Sequence, residues 1–425
     1  MFEIVNIKAR MILDSRGNPT VEAEVFTKEY AASAMVPSGA STGSHEALEL
    51  RDNGKAYSGK GVNKVVRNIN TKIKKALKGV SIVEQTKIDR IMIKLDNTKN
   101  KSNFGANAIL AVSMACARCA AKCLQIPLWI HLANLANTNP NKLILPVPYC
   151  NVINGGKHAP NDLMFQEFMI VPQAKTFHER VKIVSEFYHA LKKLIIKKYG
   201  AMSANVGDEG GFAPDIKTAH EALNLLLETR KRLKLGPKIK FAIDVAASEF
   251  YDKKTKTYEV VKGLKLDKKS FVKYYTNLLA KFPVVSIEDP FAEDDFNGFK
   301  LLNKNKIIRK LIKSNKLQIV GDDLLVTNPL RIKKAHARGL CNALLLKVNQ
   351  IGSITEALNS ANLAKSYGWK IMVSHRSGET EDSFIADLAV ALGCGQIKPG
   401  APCRSERTAK YNQLLRIEEE VSKFK

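Results

Sequence analysis

Two hydrophobic patterns follow one another along the chain. Residues 4–13 and 20–26 alternate apolar and polar side chains on the two sides of a short turn, which predicts a β-hairpin. After a loop of small residues at positions 37–44, apolar side chains recur at helical spacing over residues 45–132. Residues 1–135 are therefore predicted to form a small α+β domain.

A different pattern begins after the polar segment that closes at Pro140. Short apolar strands alternate with helical segments through the rest of the chain. Strands that recur with helices between them are typical of βα units, and such units build parallel sheets. We therefore predict an α/β protein in which residues 140–425 form a (β/α)8-type catalytic barrel and residues 1–135 form a smaller α+β domain that caps it.

Five consecutive strands of the predicted barrel end on charged side chains. These ends are, in chain order, Asp244, Glu288-Asp289, Asp322-Asp323, Lys347 and His375-Arg376-Ser377. The carboxyl ends of the strands in a closed parallel barrel share one face, where such folds place their chemistry. A single Asp after a strand is most often a helix N-cap, but capping does not explain five such placements in a row. The pattern thus predicts an active site at this face.

Asp244, Glu288 and Asp322 are oxygen donors on three successive strands. Converging carboxylates without Cys or His suit Mg²⁺, whose charge would also offset their mutual repulsion. Lys347 follows the next strand. A metal ion and nearby cations would favour the neutral amine that a general base requires, so this lysine is a candidate base.

Further residues suit a phosphorylated substrate. Arg376 and Ser377 offer a fork of donors and a hydroxyl, which together suit a phosphate group. Lys398 adds a cation near the end of the following strand, and the glycine-rich loop 205–212 carries adjacent carboxylates suited to a general acid. These residues describe metal-assisted removal of a proton next to a carboxylate, with an acid that helps a leaving group depart.

Five blocks of this sequence, met in the same order, resemble the enolase family of phosphopyruvate hydratases. The blocks are SGASTG at 38–43, GDEGG at 207–211, SIEDP at 286–290, LKVNQIG at 346–352 and SHRSGET at 374–380. The likeness extends from the hairpin turn at 14–20 to AKYNQLLRIEE at 409–419. One such block would be a weak signal, whereas five in order across nearly the whole chain are specific.

The resemblance implies the reversible dehydration of 2-phosphoglycerate to phosphoenolpyruvate in glycolysis and gluconeogenesis. It implies that Lys347 takes the proton from C2, that Glu209 assists departure of the C3 hydroxyl, and that two Mg²⁺ ions per active site stabilise the enediolate. The other implied catalytic residues are Glu167 and His158; the implied substrate-binding residues are Gln166, Lys347, Arg376, Ser377, Lys398 and His375; and the implied metal ligands are Asp244, Glu288, Asp322 and, on a mobile loop, Ser41. The family also implies a homo-oligomer, either a dimer or an octamer.

Three features depart from the family pattern. Pro160 stands where a polar residue is expected after His158, and Pro399 stands where a threonine commonly follows the lysine that Lys398 matches. Because proline restricts the residue before it, we expect an extended backbone at Lys398. The lysine-rich stretch 300–316 looks longer than usual, and its composition predicts a surface position.

Composition narrows the remaining classes of protein. A chain of 425 residues with 45% hydrophobic side chains can bury a large core and is not intrinsically disordered. Its uncharged apolar runs fall short of the roughly 20 residues of a spanning helix, and its start does not resemble a signal peptide, so we expect a soluble, cytoplasmic protein. The odd count of seven cysteines indicates reduced thiols, and Cys116, Cys119 and Cys123 are expected to pack as small apolar side chains in a helix.

The formal net charge of +26 raises the question of a nucleic-acid partner. The basic residues are scattered, however, and several runs alternate with Ile and Leu as on the solvated face of an amphipathic helix. Two alternatives stay open beside the enolase interpretation. One is a related barrel enzyme, a racemase or cycloisomerase; the other is a protein that has lost catalysis and binds RNA or a host protein, for which no motif is present.

Overall fold

The N-terminal region is a three-stranded antiparallel sheet covered by helices. In this computed structural model, which describes residues 2–40, 42–140 and 144–423, the strands are β1 (Asn6–Leu13), β2 (Pro19–Phe26) and β3 (Ala31–Met35), in that order across the sheet. The helices are α1 (Asn63–Asn68), α2 (Lys74–Leu77), α3 (Gln85–Asp96), α4 (Ala106–Cys123) and α5 (Leu128–Leu135), with a π-helical turn at Ile69–Ile73. Because β1 pairs with β2 from Asn6 opposite Phe26 to Leu13 opposite Pro19, the predicted hairpin is confirmed.

Helix α4 forms the centre of this region and packs on β2 and β3. Cys116, Cys119 and Cys123 are buried free thiols on it, which confirms that they serve as packing residues. By length and composition α4 is apolar enough to cross a membrane, although the sequence suggested no such segment. Its 18-residue window is 89% buried inside the molecule, as in the core helix of a folded domain.

The helical pattern expected from residue 45 was wrong over its first part, because the first α-helix begins at Asn63. The backbone of this segment instead bonds to distant parts of the chain. The amide of Ala47 donates to the carbonyl of Gln350, and Leu48 exchanges backbone hydrogen bonds with Asn100 and Ala106. These tertiary partners satisfy the groups that a helix would have paired internally, and they hold the segment against the barrel.

The second region is a barrel with helices around it. Its strands are β4 (Val147–Pro148), β5 (Cys150–Asn154), β6 (Glu167–Pro172), β7 (Ile239–Asp244), β11 (Val284–Glu288), β12 (Gln318–Gly321), β13 (Ala343–Leu346), β14 (Lys370–Ser374) and β15 (Gln396–Lys398), and a small separate sheet holds β8 (Tyr251–Asp252), β9 (Thr257–Val261) and β10 (Leu264–Leu266). The barrel order is β4-β15-β14-β13-β12-β11-β7-β6-β5. Since only Tyr149 separates β4 from β5, the two ends of this sheet are one continuous stretch of chain, and the barrel closes there.

Ten helices surround the barrel in the described part of the chain. They are α6 (Phe177–Tyr199), α7 (Ala219–Arg232), α8 (Lys268–Lys281), α9 (Phe296–Lys304), α10 (Lys306–Lys313), α11 (Pro329–Arg338), α12 (Val348–Ile351), α13 (Ile354–Ser366), α14 (Phe384–Ala391) and α15 (Ser405–Lys423). Capping boxes start α6 at Thr176 and α7 at Thr218. The lysine-rich stretch 300–316 lies largely on α9 and α10 with its lysine side chains mostly exposed, so its predicted surface position is confirmed.

One strand departs from the parallel sheet expected from the sequence. Strand β6 runs antiparallel to both β5 and β7, whereas the pairs from β7 through β11–β15 to β4 are parallel. No α-helix separates β5 from β6, so they form a hairpin, and the helix pair α6–α7 then returns the chain to the edge where β6 ended. As a result Glu167, the first residue of β6, lies opposite Asp244, the last residue of β7.

The barrel interior is built in layers, because alternate residues of each strand face inward. An apolar middle layer contains Met169, Ala242, Val320, Leu345 and Met372. Charged side chains line both ends of the barrel, on either side of this layer. We call the end at the carboxyl termini of β7 and β11–β15 the carboxyl mouth, and the opposite end the amino mouth.

Candidate active site

Lys398 forms the centre of a buried charge cluster at the carboxyl mouth. Its Nζ lies 3.0 Å from Glu167 Oε2, 3.1 Å from Asp244 Oδ2 and 2.8 Å from Glu288 Oε1. All four side chains are at most 3% exposed. Burial lowers the pKa of Lys398, but the surrounding carboxylates outweigh burial and hold this pKa well above its usual value. The lysine is therefore a fixed cation.

Lys347 is paired with a different carboxylate. Its Nζ donates to Asp322 Oδ2 at 2.5 Å, while Gln350 Nε2 donates to Asp322 Oδ1 at 2.8 Å. Burial lowers the pKa of Lys347, and the charge of Asp322 more than reverses that effect, so the pKa is raised. Thr327 contributes to the arrangement, because its hydroxyl accepts from the Lys347 amide and donates to Gln350 Oε1.

Asp289 stabilises the turn that carries Asp322. Its two carboxylate oxygens accept the backbone N–H groups of Asp322 at 3.0 Å and Asp323 at 2.6 Å. Its backbone lies in the left-handed region, with φ at 38°. Asp289 thus orients the turn that presents Asp322, a role that its place in the SIEDP block did not reveal.

Glu167 and Glu209 face each other across His158. The imidazole Nδ1 lies 3.6 Å from Glu167 Oε1 and 3.5 Å from Glu209 Oε1, and Asn151 donates to Glu209 Oε2 at 2.7 Å. Burial and the charge of Glu209 raise the pKa of Glu167 well above its usual range. Burial also raises the pKa of Glu209, but His375, His158 and Arg407 outweigh it, and this pKa lies well below its usual range. The pKa shifts of these two carboxyl groups are therefore opposite in direction.

Gly210 gives the loop of Glu209 its shape. Its φ of 82° is readily adopted only by glycine, and a Cβ at this position would lie 2.8 Å from the carbonyl oxygen of Cys403. The Glu209 carbonyl accepts from the amide of Ala401. The loop is thus held directly against the segment that follows Lys398.

Arg376 is held in place by Glu46, a residue that the sequence offered no reason to select. The guanidinium donates to both Glu46 oxygens, at 3.0 and 3.1 Å, and to Asn349 Oδ1 at 2.9 Å. The neighbouring Ser377 accepts the amide of Ala40 at 2.6 Å. The N-terminal region therefore supplies contacts to the predicted phosphate-binding residues. Ser41, the implied ligand on the same loop, lies outside the described residues.

Arg407 on α15 is a second residue that sequence reasoning missed. It is fully buried, lies 2.7 Å from His375 Nδ1, and donates to the carbonyls of Arg376, Ser377 and Asp208. Burial chiefly lowers the pKa of His375, to about 4. One guanidinium thus joins the loop after β14 to the loop of Glu209. The only sequence signal was its position just before the matched block at 409–419.

Gln166, the last of the implied substrate-binding residues, also lies at this mouth, whereas Lys157, a weaker basic candidate next to His158 in the sequence, does not line the pocket. Gln166 donates to Asp244 Oδ2 at 3.4 Å, and Lys398 lies within β15, so the expected extended backbone before Pro399 is observed. Lys157 is half exposed and pairs with Glu249. A common pocket is lined by His158, Gln166, Glu167, Glu209, Lys347, Ser374, His375, Arg376, Ser377 and Lys398.

The donor set at this mouth fits a hard divalent cation. Two triads bring carboxylate or imidazole atoms within 4.8 Å of one another: His158–Glu167–Glu209 and Asp289–Asp322–Asp323. The predicted triad is arranged differently, because Asp244 and Glu288 converge on Lys398 while Asp322 bonds to Lys347. Two buried oxygens, Glu288 Oε2 and Gln166 Oε1, have no hydrogen-bond donor among the described residues. Such oxygens beside carboxylates suit Mg²⁺.

Buried carboxylates, two buried lysines and an arginine at the carboxyl mouth define a barrel enzyme that acts on an anionic substrate. Comparison with known proteins agrees. Residues 142–424 match the enolase C-terminal TIM barrel domain, and residues 4–132 match the enolase N-terminal domain. The chain therefore belongs to the enolase family, the phosphopyruvate hydratases, and is an enzyme of that class.

Similar curated proteins cover almost the whole chain. The enolase of Thermococcus gammatolerans is 55% identical over 99% of this chain and 95% of its own length. The enolase of Methanococcus vannielii is 55% identical over 100% and 97%, and that of Pyrococcus furiosus is 54% identical over 99% and 95%. The likeness thus includes both regions of the fold.

Proposed function

We propose that this enzyme interconverts 2-phosphoglycerate and phosphoenolpyruvate, with Lys347 as the general base and Glu209 as the general acid. The observation that carries the proposal is the common pocket at the carboxyl mouth. This pocket is lined by the buried Lys347, by the carboxyl groups of Glu167 and Glu209, and by Arg376. Proton removal, departure of a hydroxyl and phosphate binding require these three kinds of group.

Lys347 is suited to remove the C2 proton because its position is fixed while its charge depends on one partner. The pairing with Asp322 holds it protonated, and Gln350 keeps that carboxylate from rotating. Weakening the pairing leaves a buried amine among cations, where burial and the charges of Arg376 and Lys398 favour the neutral form. Any cation that competes for the negative charge of Asp322 therefore makes the neutral, basic form of Lys347 more accessible.

Glu209 and Glu167 act together on the leaving hydroxyl. The pKa of Glu167 is raised and that of Glu209 is lowered, and His158 Nδ1 lies 3.6 Å and 3.5 Å from their respective Oε1 atoms. A shared proton allows Glu209 to donate to the departing oxygen while Glu167 replaces that proton, which a single buried carboxylate of low pKa could not do. This assignment keeps Glu209 as the acid and gives Glu167 the role of proton reserve.

Arg376 and Ser377 bind the phosphate, with His375 beside them, and Lys398 binds the substrate carboxylate with the aid of Gln166. Arg376 is charged and already positioned by Glu46 and Asn349, so little side-chain freedom is lost on binding. Lys398 is buried and permanently charged, and it offsets negative charge that develops on the substrate.

Asp244, Glu288 and Asp322, with Ser41, would hold Mg²⁺, two ions per site. Bound there, the ions would supply positive charge against the substrate carboxylate and would compete with Lys347 for Asp322. The fit rests on the free Glu288 Oε2 and on the hard oxygen donors around it.

We further propose a cytoplasmic, glycolytic role and a homo-oligomer. All seven cysteines are free thiols, as expected in a reducing compartment. Glu418, Glu419 and Glu420 near the C-terminus could meet basic residues of a neighbouring subunit, but they give the oligomer little support. Glu418 accepts the amides of Phe177 and His178, and Glu420 accepts the indole N–H of Trp129 within the same chain. Sedimentation distinguishes a monomer, a dimer and an octamer.

The deciding experiment is a Mg²⁺ titration of phosphoenolpyruvate formation from 2-phosphoglycerate. We expect activity that is absent without the metal and saturates as it is added. Racemase and cycloisomerase substrates, which lack the phosphate that Arg376 and Ser377 would bind, should not react. Absence of product at every Mg²⁺ concentration would contradict the proposal.

A further inference from the structure

A second cavity lies at the amino mouth, on the side of the barrel away from the candidate active site. Its volume is about 520 Å³, and it is lined by Val147, Tyr149, Val171, Gln173, Lys240, Val285, Asn315, Lys316, Gln318, Lys370, Gly395 and Gln396. Three of these residues are lysines, and no Asp or Glu is among the described lining residues. A pocket of this size can hold a small organic molecule.

The strand pattern explains how the lysines reach this cavity. On β7 the alternate residues Lys240, Ala242 and Asp244 line the amino mouth, the apolar layer and the carboxyl mouth, respectively. On β14 the same alternation gives Lys370, Met372 and Ser374. Inward-facing barrel positions are normally filled by apolar side chains, so two lysines there call for a reason beyond surface solubility.

The three lysines have no anionic partner in the part of the chain that the structure describes. Across the described ranges, none of their ammonium groups lies within 4.0 Å of a carboxylate or makes a side-chain hydrogen bond. Lys240 and Lys370 are only partly exposed, and burial alone lowers the pKa of Lys370. Neighbouring cations that are unpaired and partly desolvated favour a bound anion, because the anion offsets their charge.

The rest of the lining is suited to the body of an organic ligand. Val147, Val171 and Val285 form an apolar wall next to Tyr149. Beside it Gln318 and Gln396 exchange amide hydrogen bonds at 3.1 and 3.0 Å, which fixes both groups at the floor. The cavity therefore combines a cationic rim, an apolar wall and a rigid polar floor.

We propose that the amino mouth is a binding site for a phosphomonoester of nucleotide size. Its dianionic phosphate is held by Lys240, Lys316 and Lys370, and its ring lies against the valine wall. The opposite mouth, with its buried carboxylates, carries the chemistry. No Asp, Glu, His, Ser or Cys is among the described lining residues of this cavity, and we assign it binding alone.

The test uses the full-length Mg²⁺-loaded enzyme and AMP as the probe, with binding measured by calorimetry. Changing Lys240, Lys316 and Lys370 together to Gln should weaken AMP binding by about tenfold or more, because charge-assisted hydrogen bonds are lost. The matched control changes the exposed Lys192, Lys231 and Lys310 to Gln, so that it has the same net charge as the first triple variant. It should bind AMP as the unaltered enzyme does. Thermal unfolding verifies that both variants fold.

Four outcomes would overturn the proposal. The first is that the unaltered enzyme shows no AMP binding at millimolar concentration, and the second is that the two triple variants lose affinity equally, so that only net charge matters. The third is that saturating phosphoenolpyruvate displaces AMP, which would assign AMP to the active site. The fourth is that inorganic phosphate binds as tightly as AMP, so that the valine wall contributes nothing. AMP binding that survives phosphoenolpyruvate and is lost only in the first triple variant supports it.

Discussion

The two mouths of the barrel are built on the same strands but treat charge in opposite ways. At the carboxyl mouth Lys398 contacts three carboxylates within 3.1 Å, and Lys347 bonds to Asp322. At the amino mouth three lysines line an open cavity of about 520 Å³ that has no acidic side chain in its described lining. At the carboxyl mouth the charged side chains form ion pairs with one another. At the amino mouth the lysine side chains remain available to solvent and to a bound ligand.

This difference shows what prepares a site for chemistry. Paired, buried charges are held in fixed positions by hydrogen bonds, so a substrate that replaces one partner finds the others already oriented. Unpaired charges at a wide opening attract anions but orient them weakly. The predictions below test the contrast, from the largest expected effect to the smallest.

Replacing Lys347 with Ala should reduce turnover by about a thousandfold and abolish exchange of the C2 proton with solvent, because the other buried lysine of this pocket, Lys398, is held protonated by its carboxylates and cannot accept that proton. Exchange is measured by deuterium incorporation into 2-phosphoglycerate. Lys333→Ala, an exposed lysine on α11, is the matched control and should exchange normally. Persistent exchange in Lys347→Ala would assign the base elsewhere.

Glu209→Gln should lower turnover by about a hundredfold or more but retain measurable C2 exchange, because the amide cannot donate the proton that the leaving hydroxyl needs. The comparison with Lys347→Ala separates the two roles at the carboxyl mouth. If both variants lost exchange to the same extent, the division into base and acid would fail.

Asp322→Asn should weaken Mg²⁺ binding by roughly tenfold to a hundredfold, because a charged ligand becomes neutral. Calorimetric titration with Mg²⁺ alone measures this without relying on turnover. Asp215→Asn, which changes an exposed carboxylate, provides the control. An unaltered Mg²⁺ affinity in Asp322→Asn would remove this residue from the ligand set.

Arg407→Met should raise KM for 2-phosphoglycerate by about tenfold while reducing kcat less, because the loops of Ser377 and Asp208 lose their common donor. The pKa of His375, about 4 with Arg407 beside it, should rise when that positive charge is removed; NMR titration measures it. Arg416→Met, an exposed change on the same helix, should alter neither value. A merely structural role for Arg407 would leave the histidine titration unmoved.

Salt should produce the smallest effect. The excess charge of +26 attracts anionic substrate, so kcat/KM should fall by roughly severalfold between low salt and about 0.3 M. AMP binding at the amino mouth should decline more steeply, because its lysines have no carboxylate partner among the described residues. Equal salt dependence at the two mouths would remove the contrast between them.

Much of the carboxyl mouth could be predicted because its residues follow a local rule. A strand of alternating residues that ends on Asp244, Glu288 or Lys347 brings these side chains to one face of any closed barrel. Glu167 does not obey this rule, since it begins its strand, and only the reversal of β6 brings it to the same mouth. Resemblance to a family selected it, whereas the strand pattern alone could not.

The residues that were missed act across long separations in sequence. Glu46 reaches Arg376 from a segment expected to be helical, and Arg407 reaches His375 from the last helix. Neither position has a distinctive local pattern, because an arginine on a helix and an acid in a loop are each common, and the sequence does not show that the arginine is buried. Their importance arises only from what the chain brings next to them.

Local pattern in the sequence determined the two regions, the alternating barrel strands, the charged strand ends and the packing of α4, because each depends on neighbours within a few residues. Tertiary structure alone decided the direction of β6, the pairing of Lys398 with three carboxylates, the opposite pKa shifts of Glu167 and Glu209, and the cationic cavity at the amino mouth. These features depend on distances and burial between segments far apart in the chain, and local periodicity carries no information about either.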